Sequence, residues 1–346
     1  MQNFLQNTAA NFIGARKVTY IVSGVLVVIG ILGVNPHIMG KLNFGIDFSG
    51  GRNYIIRFAE PVNTEEVNAA LDNVFMAAKS ELADEETFAL NVITIGDANQ
   101  VRVSTNYRIN DNSETLDDEI EALLYEGCKQ FLPENVTLKE FTSTDINPEI
   151  GIMQSQKVGP AIADDITQSA VWAVLAALLG IFLYVLLRFR NFSFSVGALA
   201  GLAHNTLIVL GAYALLWKVM PFSMEIDQSF IAAILTVIGY SINDTVVIFD
   251  RVREYTGLYP KRARKQNIND ALNQTLSRTF STSMSTLVVL IAIFCFGGET
   301  IRGFVFALII GVVVGTYSSL CVATPLAYDI QEALDRRKAK KAALNK

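Results

Sequence analysis

Apolar residues gather into six long runs, at 18–34, 170–187, 194–217, 230–249, 280–296 and 303–326. Each is near the ~20 residues that a helix needs to cross hydrocarbon. Six crossings put both termini on one side. The first run follows Arg16-Lys17 as a signal peptide would, but it continues into Asn35-Pro36-His37 without a small-residue cleavage pattern and reads as a retained anchor.

Between the first and second runs the period changes. Residues 53–58 alternate and are β-branched, as in a strand. Residues 64–78 carry Val67, Ala70, Leu71, Val74 and Phe75 at helical spacing. Two strand-like runs, 88–95 and 101–107, flank Gly96-Asp97-Ala98-Asn99, which has the chemistry of a hairpin turn. A helix over 114–132, with Leu116, Ile120, Leu123, Leu124 and Cys128 on one face, and a last strand over 136–141 complete the series. The order β-α-β-β-α-β is that of ferredoxin-like domains, two helices on one face of a four-stranded antiparallel sheet. The expected fold class is therefore a polytopic α-helical membrane protein with six transmembrane helices and an inserted α+β ferredoxin-like extracytoplasmic domain. The expected organisation is a cytoplasmic N-terminus (1–17), a first span (18–34), the outer domain (42–145), a linker (146–169), a five-helix transmembrane region (170–326) and a basic cytoplasmic tail (327–346).

Two junctions stand out. Residues 42–51 form an apolar, strand-like run ending in Gly50-Gly51, which suggests a bend where backbone approaches backbone in the transition from membrane helix to sheet. In Val158-Gly159-Pro160 the proline suits the first turn of a helix running into the second span, and the linker is a candidate hinge.

Composition agrees with a membrane chain: 51% hydrophobic residues and a mean hydropathy of +0.35 over 346 residues. The net charge of -5 conceals an asymmetry, because residues 42–165 hold 23 Asp or Glu against 8 Lys or Arg. Connections on one side of the spans hold 16 Lys or Arg, and the opposite short loops hold only Lys218 and Arg302, which places both termini in the cytoplasm. This basic excess is explained by topology and anionic lipid headgroups, so nucleic acid is not an expected partner.

Catalytic chemistry is not visible in the outer domain. No histidine lies between His37 and His204, no Gly-rich loop opens a helix, and Cys128 stands alone, so neither a disulfide, a metal nor a cofactor is expected there, and the chain does not read as an enzyme. Its carboxylates read as a solvated acidic surface, and its sheet edge as a place where an extended polypeptide could add as a strand.

The informative polar residues interrupt the fourth span, in Tyr240-Ser241-Ile242-Asn243-Asp244-Thr245-Val246-Val247-Ile248-Phe249-Asp250-Arg251. Asp250 sits at the cytoplasmic end. Asp244 lies six residues, about 9 Å of helix rise, further in. A carboxylate at that depth costs ~2.5 to 3.5 kcal/mol on insertion scales and marks ion pathways more often than packing. Arg278, at the entry of the fifth span, is either its counter-charge or a side chain reaching to the interface. Thr282, with Ser283, Ser285 and Thr286, is placed to line a polar seam, as are Ser241, Asn243 and Thr245. His204, in the third span, is a relay candidate or a packed histidine. Gly197-Ala198-Leu199-Ala200-Gly201 and Gly311-Val312-Val313-Val314-Gly315 have the spacing for close helix contact.

Three stretches carry a resemblance: Gly45-Ile46-Asp47-Phe48-Ser49-Gly50-Gly51, Val158-Gly159-Pro160, and the run from Tyr240 to Asp250-Arg251. With the order span, outer domain, five spans, they resemble the SecD/SecF family of protein-export membrane subunits, in the resistance-nodulation-division superfamily. The resemblance implies an accessory subunit of the Sec translocase in the bacterial inner membrane. It would use the proton or sodium motive force together with SecD, or with the SecD half of a fused chain, to promote late translocation and release of preprotein. Its implied partners are SecD, the SecYEG channel, the motor SecA, the translocating preprotein and membrane lipids. It also implies that Asp244 and Arg278 serve the ion-linked step, while Gly45, Asp47, Gly50, Gly51, Gly159, Pro160, Asp250 and Arg251 are family-signature positions of structural character. The third span departs from the family, in which a His-Asp pair is common where His204-Asn205 stands. Alternatives are half of a small-molecule or lipid exporter of the superfamily and a structural subunit that stabilises SecD. An aspartyl intramembrane protease would need a second deep carboxylate.

Overall fold

A computed structural model describes residues 8–34, 42–81, 88–111, 113 and 115–344. The first helix, α1 (Phe12–Val34), leads through a short helical turn, α2 (Ile46–Ser49), into the inserted α+β domain (the outer domain of the expected topology), which comprises β1 (Gly51–Arg57), α3 (Thr64–Glu81), β2 (Leu90–Thr94), β3 (Gln100–Thr105), α4 (Leu116–Cys128), α5 (Leu138–Thr142) and β4 (Gly151–Val158). Then follow α6 (Pro160–Phe189), α7 (Phe192–Leu216), α8 (Gln228–Leu258), α9 (Arg264–Phe296), α10 (Glu299–Ser318), a π-helical turn (Ser319–Ala323) and α11 (Thr324–Leu344). Among the described residues, six helical stretches are long and apolar enough to cross a membrane.

The sheet is antiparallel with order β2-β3-β1-β4, and α3 and α4 cover one face. Tyr54, Ile56, Val101 and Val103 of the sheet meet Val67, Leu71 and Phe75 of α3 and Ile120 and Leu124 of α4 in a closed core. Alternation in β1 and β3 sends every second side chain into that core.

Three expectations change. Residues 136–141 are not a strand: Thr137 and Glu140 form a reciprocal capping box that starts α5, so local hydrogen bonding outcompetes the apolar pattern. The fourth strand is instead β4, in the segment expected as linker. Its middle, Gln154-Ser155-Gln156-Lys157, is exposed at the sheet edge and gives no hydrophobic signal. Residues 42–50 are also not a strand. Phe44 makes one parallel bridge to Ile226, and Gly45 opens α2. The paired glycines do mark a close approach. Gly50 has φ 68° and Gly51 φ 138°, and a Cβ on Gly51 would lie 2.7 Å from the Thr105 carbonyl oxygen.

Arg52, only 2% exposed, lies beneath the first turn of α4 and pairs with Asp117 at 2.6 Å. Partial burial raises the Asp117 pKa, but the hydrogen bond and charge of Arg52, then those of Lys157, outweigh it and hold the carboxyl below its usual range. A depressed folded pKa contributes stability that is present above the unfolded value, about 3.9, and lost as pH falls through the folded value. Asp117 is half exposed, so we expect Asp117→Asn to destabilise the outer domain at neutral pH by about 1–2 kcal/mol. The difference should shrink on acidification below about pH 4, read as the temperature at which the domain loses protease resistance.

In the bundle, local signals set the helix ends. Arg190, in the left-handed region at φ 49°, ends α6, and the Asn191 side chain caps α7 by accepting from Ser193 N. Asp227 caps α8 by accepting from Phe230 N at 2.8 Å. The two small-residue stripes mark close packing. Gly197 and Gly201 lie against Ala323 of the π turn, and Gly311 and Gly315 of α10 lie against Val237 and Ser241 of α8. Arg16 near the start of α1 pairs with Asp329 of α11 at 2.9 Å, which puts the two ends of the bundle sequence on the same side.

Candidate functional site

One stripe of α8 faces the bundle: Val237, Ser241, Asp244, Thr245, Ile248, Phe249 and Val252 are buried at helical spacing. Asp244 sits near mid-helix, about 24 Å of rise from Gln228 and about 21 Å from Leu258. It is 6% exposed, its Oδ2 is buried, and that oxygen has no hydrogen-bond partner among the described residues.

A turn away, towards the outer domain, is a hydrogen-bonded cluster. Ser241 Oγ accepts from Asn205 Nδ2 at 2.8 Å, and Asn205 Oδ1 lies 3.3 Å from His204 Nδ1. The His204 ring lies 6.2 Å from that of Tyr317, whose hydroxyl donates to Thr19 O and shares a hydrogen bond with Ser23 Oγ. His204 Nε2 is buried and has no hydrogen-bond partner among the described residues. Gly315 makes this cluster compatible with tight packing, because a Cβ there would lie 3.3 Å from Ser241 Oγ and 3.6 Å from Asn205 Nδ2.

Beside it, Tyr240 of α8 donates to Ser283 of α9 at 3.5 Å, and Ser283 shares a 2.5 Å hydrogen bond with Thr316 of α10. The antiparallel run of α8 and α9 then brings Asp244, one turn on, to the level of Thr279, one turn back. Thr279 is 1% exposed and its hydroxyl, like Asp244 Oδ2, has no hydrogen-bond partner among the described residues.

The expected site residues separate in space. Ser241, Asp244, Thr245 and His204 share the buried interior. Thr245 donates back to Ser241 O and so is committed within α8. Asn243 is exposed on the far side of the helix, because the residue before Asp244 is turned by 100° from the inward stripe. Thr282 donates to Arg278 O and Thr279 O, so its hydroxyl serves its own helix and Ser283 takes the place in the seam. Arg278 is the charged residue whose field reaches Asp244, yet the two form no ion pair and Arg278 lies on the exposed face of α9. Asp250 pairs with Arg188 at 3.0 Å and Arg253 at 2.9 Å, and Arg251 pairs with Glu254, all near the end of α8. Gly159 joins β4 to α6 as a single residue, with Pro160 at the first helical position.

Sequence reasoning missed the contact between the glycine-pair segment and the loop before α8. Gly45 N donates to Ile226 O at 3.0 Å, Ile226 N to Asn43 O at 2.8 Å, and Gln228 N to Asp47 Oδ2 at 3.2 Å. Glu225 is next in line and binds Arg102 of β3 at 2.8 Å. Burial raises the Glu225 pKa, with Asp227 and Asp47 adding to the effect and Arg102 opposing it. Two acidic residues, Glu225 and Asp227, in a short loop whose other charged residue is Lys218 were the available signal.

The arrangement matches a known pattern along the chain. Residues 138–333 match the family model described as protein export membrane protein SecD/SecF, C-terminal, and residues 40–62 match the SecD/SecF GG motif. The chain belongs to the SecD/SecF family. Among its relatives, the protein translocase subunit SecF of Rhodothermus marinus is 38% identical, covering 94% of this chain and 94% of the relative. That of Thermodesulfovibrio yellowstonii is 34% identical over 94% of this chain and 96% of its own. The crystal structure of SecDF, a translocon-associated membrane protein from Thermus thermophilus, superposes with a TM-score of 0.74 at 30% identity over 95% of this chain. A crystal structure of SecDF in a super-membrane-facing form gives 0.58 over 96%. The SecD/SecF-family chain described here spans about 40% of that SecDF chain.

Proposed function

We propose that this chain is the SecF-type subunit of a bacterial protein translocase. In this reading it works beside SecD in the inner membrane, with both termini cytoplasmic and the acidic domain outside, and uses an ion gradient to promote late movement and release of preprotein. The observation that carries the ion-linked part is Asp244. It is a buried carboxyl at mid-helix, between two apolar clusters of the bundle, with an oxygen that has no partner among the described residues. Leaving such a group ionised and unpaired in hydrocarbon is expensive, so binding and releasing a proton or a sodium ion there changes the energy of helix packing by several kcal/mol. Thr279 and the Ser283–Thr316 pair supply hydroxyls at the same helix contacts, and the exposed Arg278 is available to a carboxylate of the SecD half.

Six helices here and the 40% coverage of SecDF support a second half supplied by SecD. The channel SecYEG, the motor SecA and the preprotein are the further partners this reading requires. No residue of the site needs a cofactor.

The reading is tested by release of a preprotein into membrane vesicles depleted of the chain and then resupplied with it together with SecD, with and without an imposed proton or sodium gradient. A gradient-dependent increment that returns only on resupply supports the reading. An increment that persists in depleted vesicles sinks it.

A further inference from the structure

The outer domain meets the bundle through the sheet face that α3 and α4 leave uncovered. Val101 and Val103 point into the domain core, so Arg102 between them points away from it, towards the α7–α8 loop. There its Nη2 donates to Ser223 Oγ at 2.9 Å and binds Glu225 Oε1 at 2.8 Å. The two side chains are 15% and 8% exposed, so this is a buried ion pair across a domain boundary. A cavity of about 30 Å³, enough for a water, opens beside it between Thr94, Tyr213, Asp227 and Ser229.

The loop that receives Arg102 is held firmly from below. Tyr213 at the end of α7 donates to Gly303 O of α10 at 2.5 Å, and Gly303 lies so close that a Cβ would come within 2.5 Å of Ser223 O. Glu225 is two residues before Asp227, the cap of α8. A rotation or shift of α8 is therefore passed to Glu225 with no flexible segment between.

On its C-terminal side the domain joins the bundle through the single residue Gly159, where a Cβ would meet nothing within 4 Å among the described residues. It follows β4, the outermost strand, whereas Arg102 is two strands further in, about 10 Å across the sheet. Asn43, Gly45 and Asp47 at the domain's entry also bond the α7–α8 loop and the start of α8, so these and Gly159 form the pivot and Arg102 is the pin that the sheet face adds.

We propose that Arg102 and Glu225 form a releasable latch that pins the outer domain to the α7–α8 loop and makes its position answer to α8, the helix carrying Asp244. This rests on the ion-coupling reading of α8. The pair has the character a latch needs. Losing one partner of a buried ion pair is costly because a lone charge stays buried, whereas separating both into water changes little net, so the pair switches between two arrangements without a large apolar surface to tear apart.

Hydrogen exchange of the chain assembled with SecD in vesicles tests it, read at residues 91–95 and 222–228 and, as a folding control, at residues 67–75 in the domain core. Arg102→Ala and Glu225→Gln each should speed exchange in both latch segments roughly tenfold, equivalent to about 1.4 kcal/mol, with core protection retained. Lys129→Ala, which removes an exposed pair with Glu126, should change neither. Unchanged exchange at 222–228 in both latch variants overturns the proposal. So does loss of core protection along with it, since the residues then serve the domain's own fold. If the latch variants behave as expected but Asp244→Asn keeps its gradient response, the pin stands and the ion-coupling reading falls. If Asp244→Asn loses that response and the latch variants exchange like wild type, the latch alone falls.

Discussion

Asp244→Asn should abolish the gradient-dependent part of preprotein release while leaving the chain at wild-type abundance and associated with SecD. The substitution keeps the shape of the side chain and removes its ability to exchange a proton or hold a cation. The amide it introduces is neutral and nearly isosteric, so it does not place a charge in the packed interior. The folded bundle is therefore not expected to suffer, and release without a gradient should be unchanged. Asp244→Glu keeps the carboxyl but carries it one methylene further into a packed interior, where overpacking typically costs 1–3 kcal/mol. It should retain a reduced response. A structural role for Asp244 would give the opposite ranking: the amide would lower abundance, and the gradient response per molecule would survive.

The largest stability effect should come from the crossing of α1 and α7. Gly30 and Gly211 face each other so closely that a Cβ on Gly211 would collide with the Gly30 backbone, and a Cβ on Gly30 would lie 3.1 Å from Leu207 O. A backbone neighbour cannot move aside as a flexible side chain can. Gly211→Leu must separate the helices, and with them the α1 contacts of Ser23 and Thr19 to Tyr317 that flank the His204 cluster. A loss of several kcal/mol is a large fraction of the stability of a domain, and membrane abundance should fall several-fold. Gly24, on the same helix, has nothing among the described residues within 4 Å of its Cβ position, so Gly24→Ala should be neutral. Immunoblots of isolated membranes at matched expression distinguish the two variants.

Six long apolar runs were legible because each crossing imposes its own length on the sequence, and the helices run past them only where polar caps and amphipathic ends continue the coil. β1, β3, α3 and α4 were legible because one face of each is buried in a single core. β4 was not, since an edge strand with a polar middle carries no period-two signal, and the apolar residues Val136 and Phe141 serve the same core from a loop and a short helix. For the candidate site, the inward stripe of α8 identified Ser241 and Asp244, but only three-dimensional packing shows that Ser283 rather than Thr282 faces it, and that Asn243 turns away. The Arg102–Glu225 pair joins residues 123 positions apart on two separate folding units, and no local pattern announces it.

Ion exchange at Asp244 can be read at the carboxyl group. Infrared difference spectra of the reconstituted chain with SecD, recorded between acidic and alkaline buffers and then with and without sodium, read the carboxyl group itself, and Asp244→Asn assigns its band. An Asp244-dependent signal that changes with one of the two ions is expected if Asp244 exchanges an ion. A spectrum in which wild type and Asp244→Asn respond identically to both would contradict it.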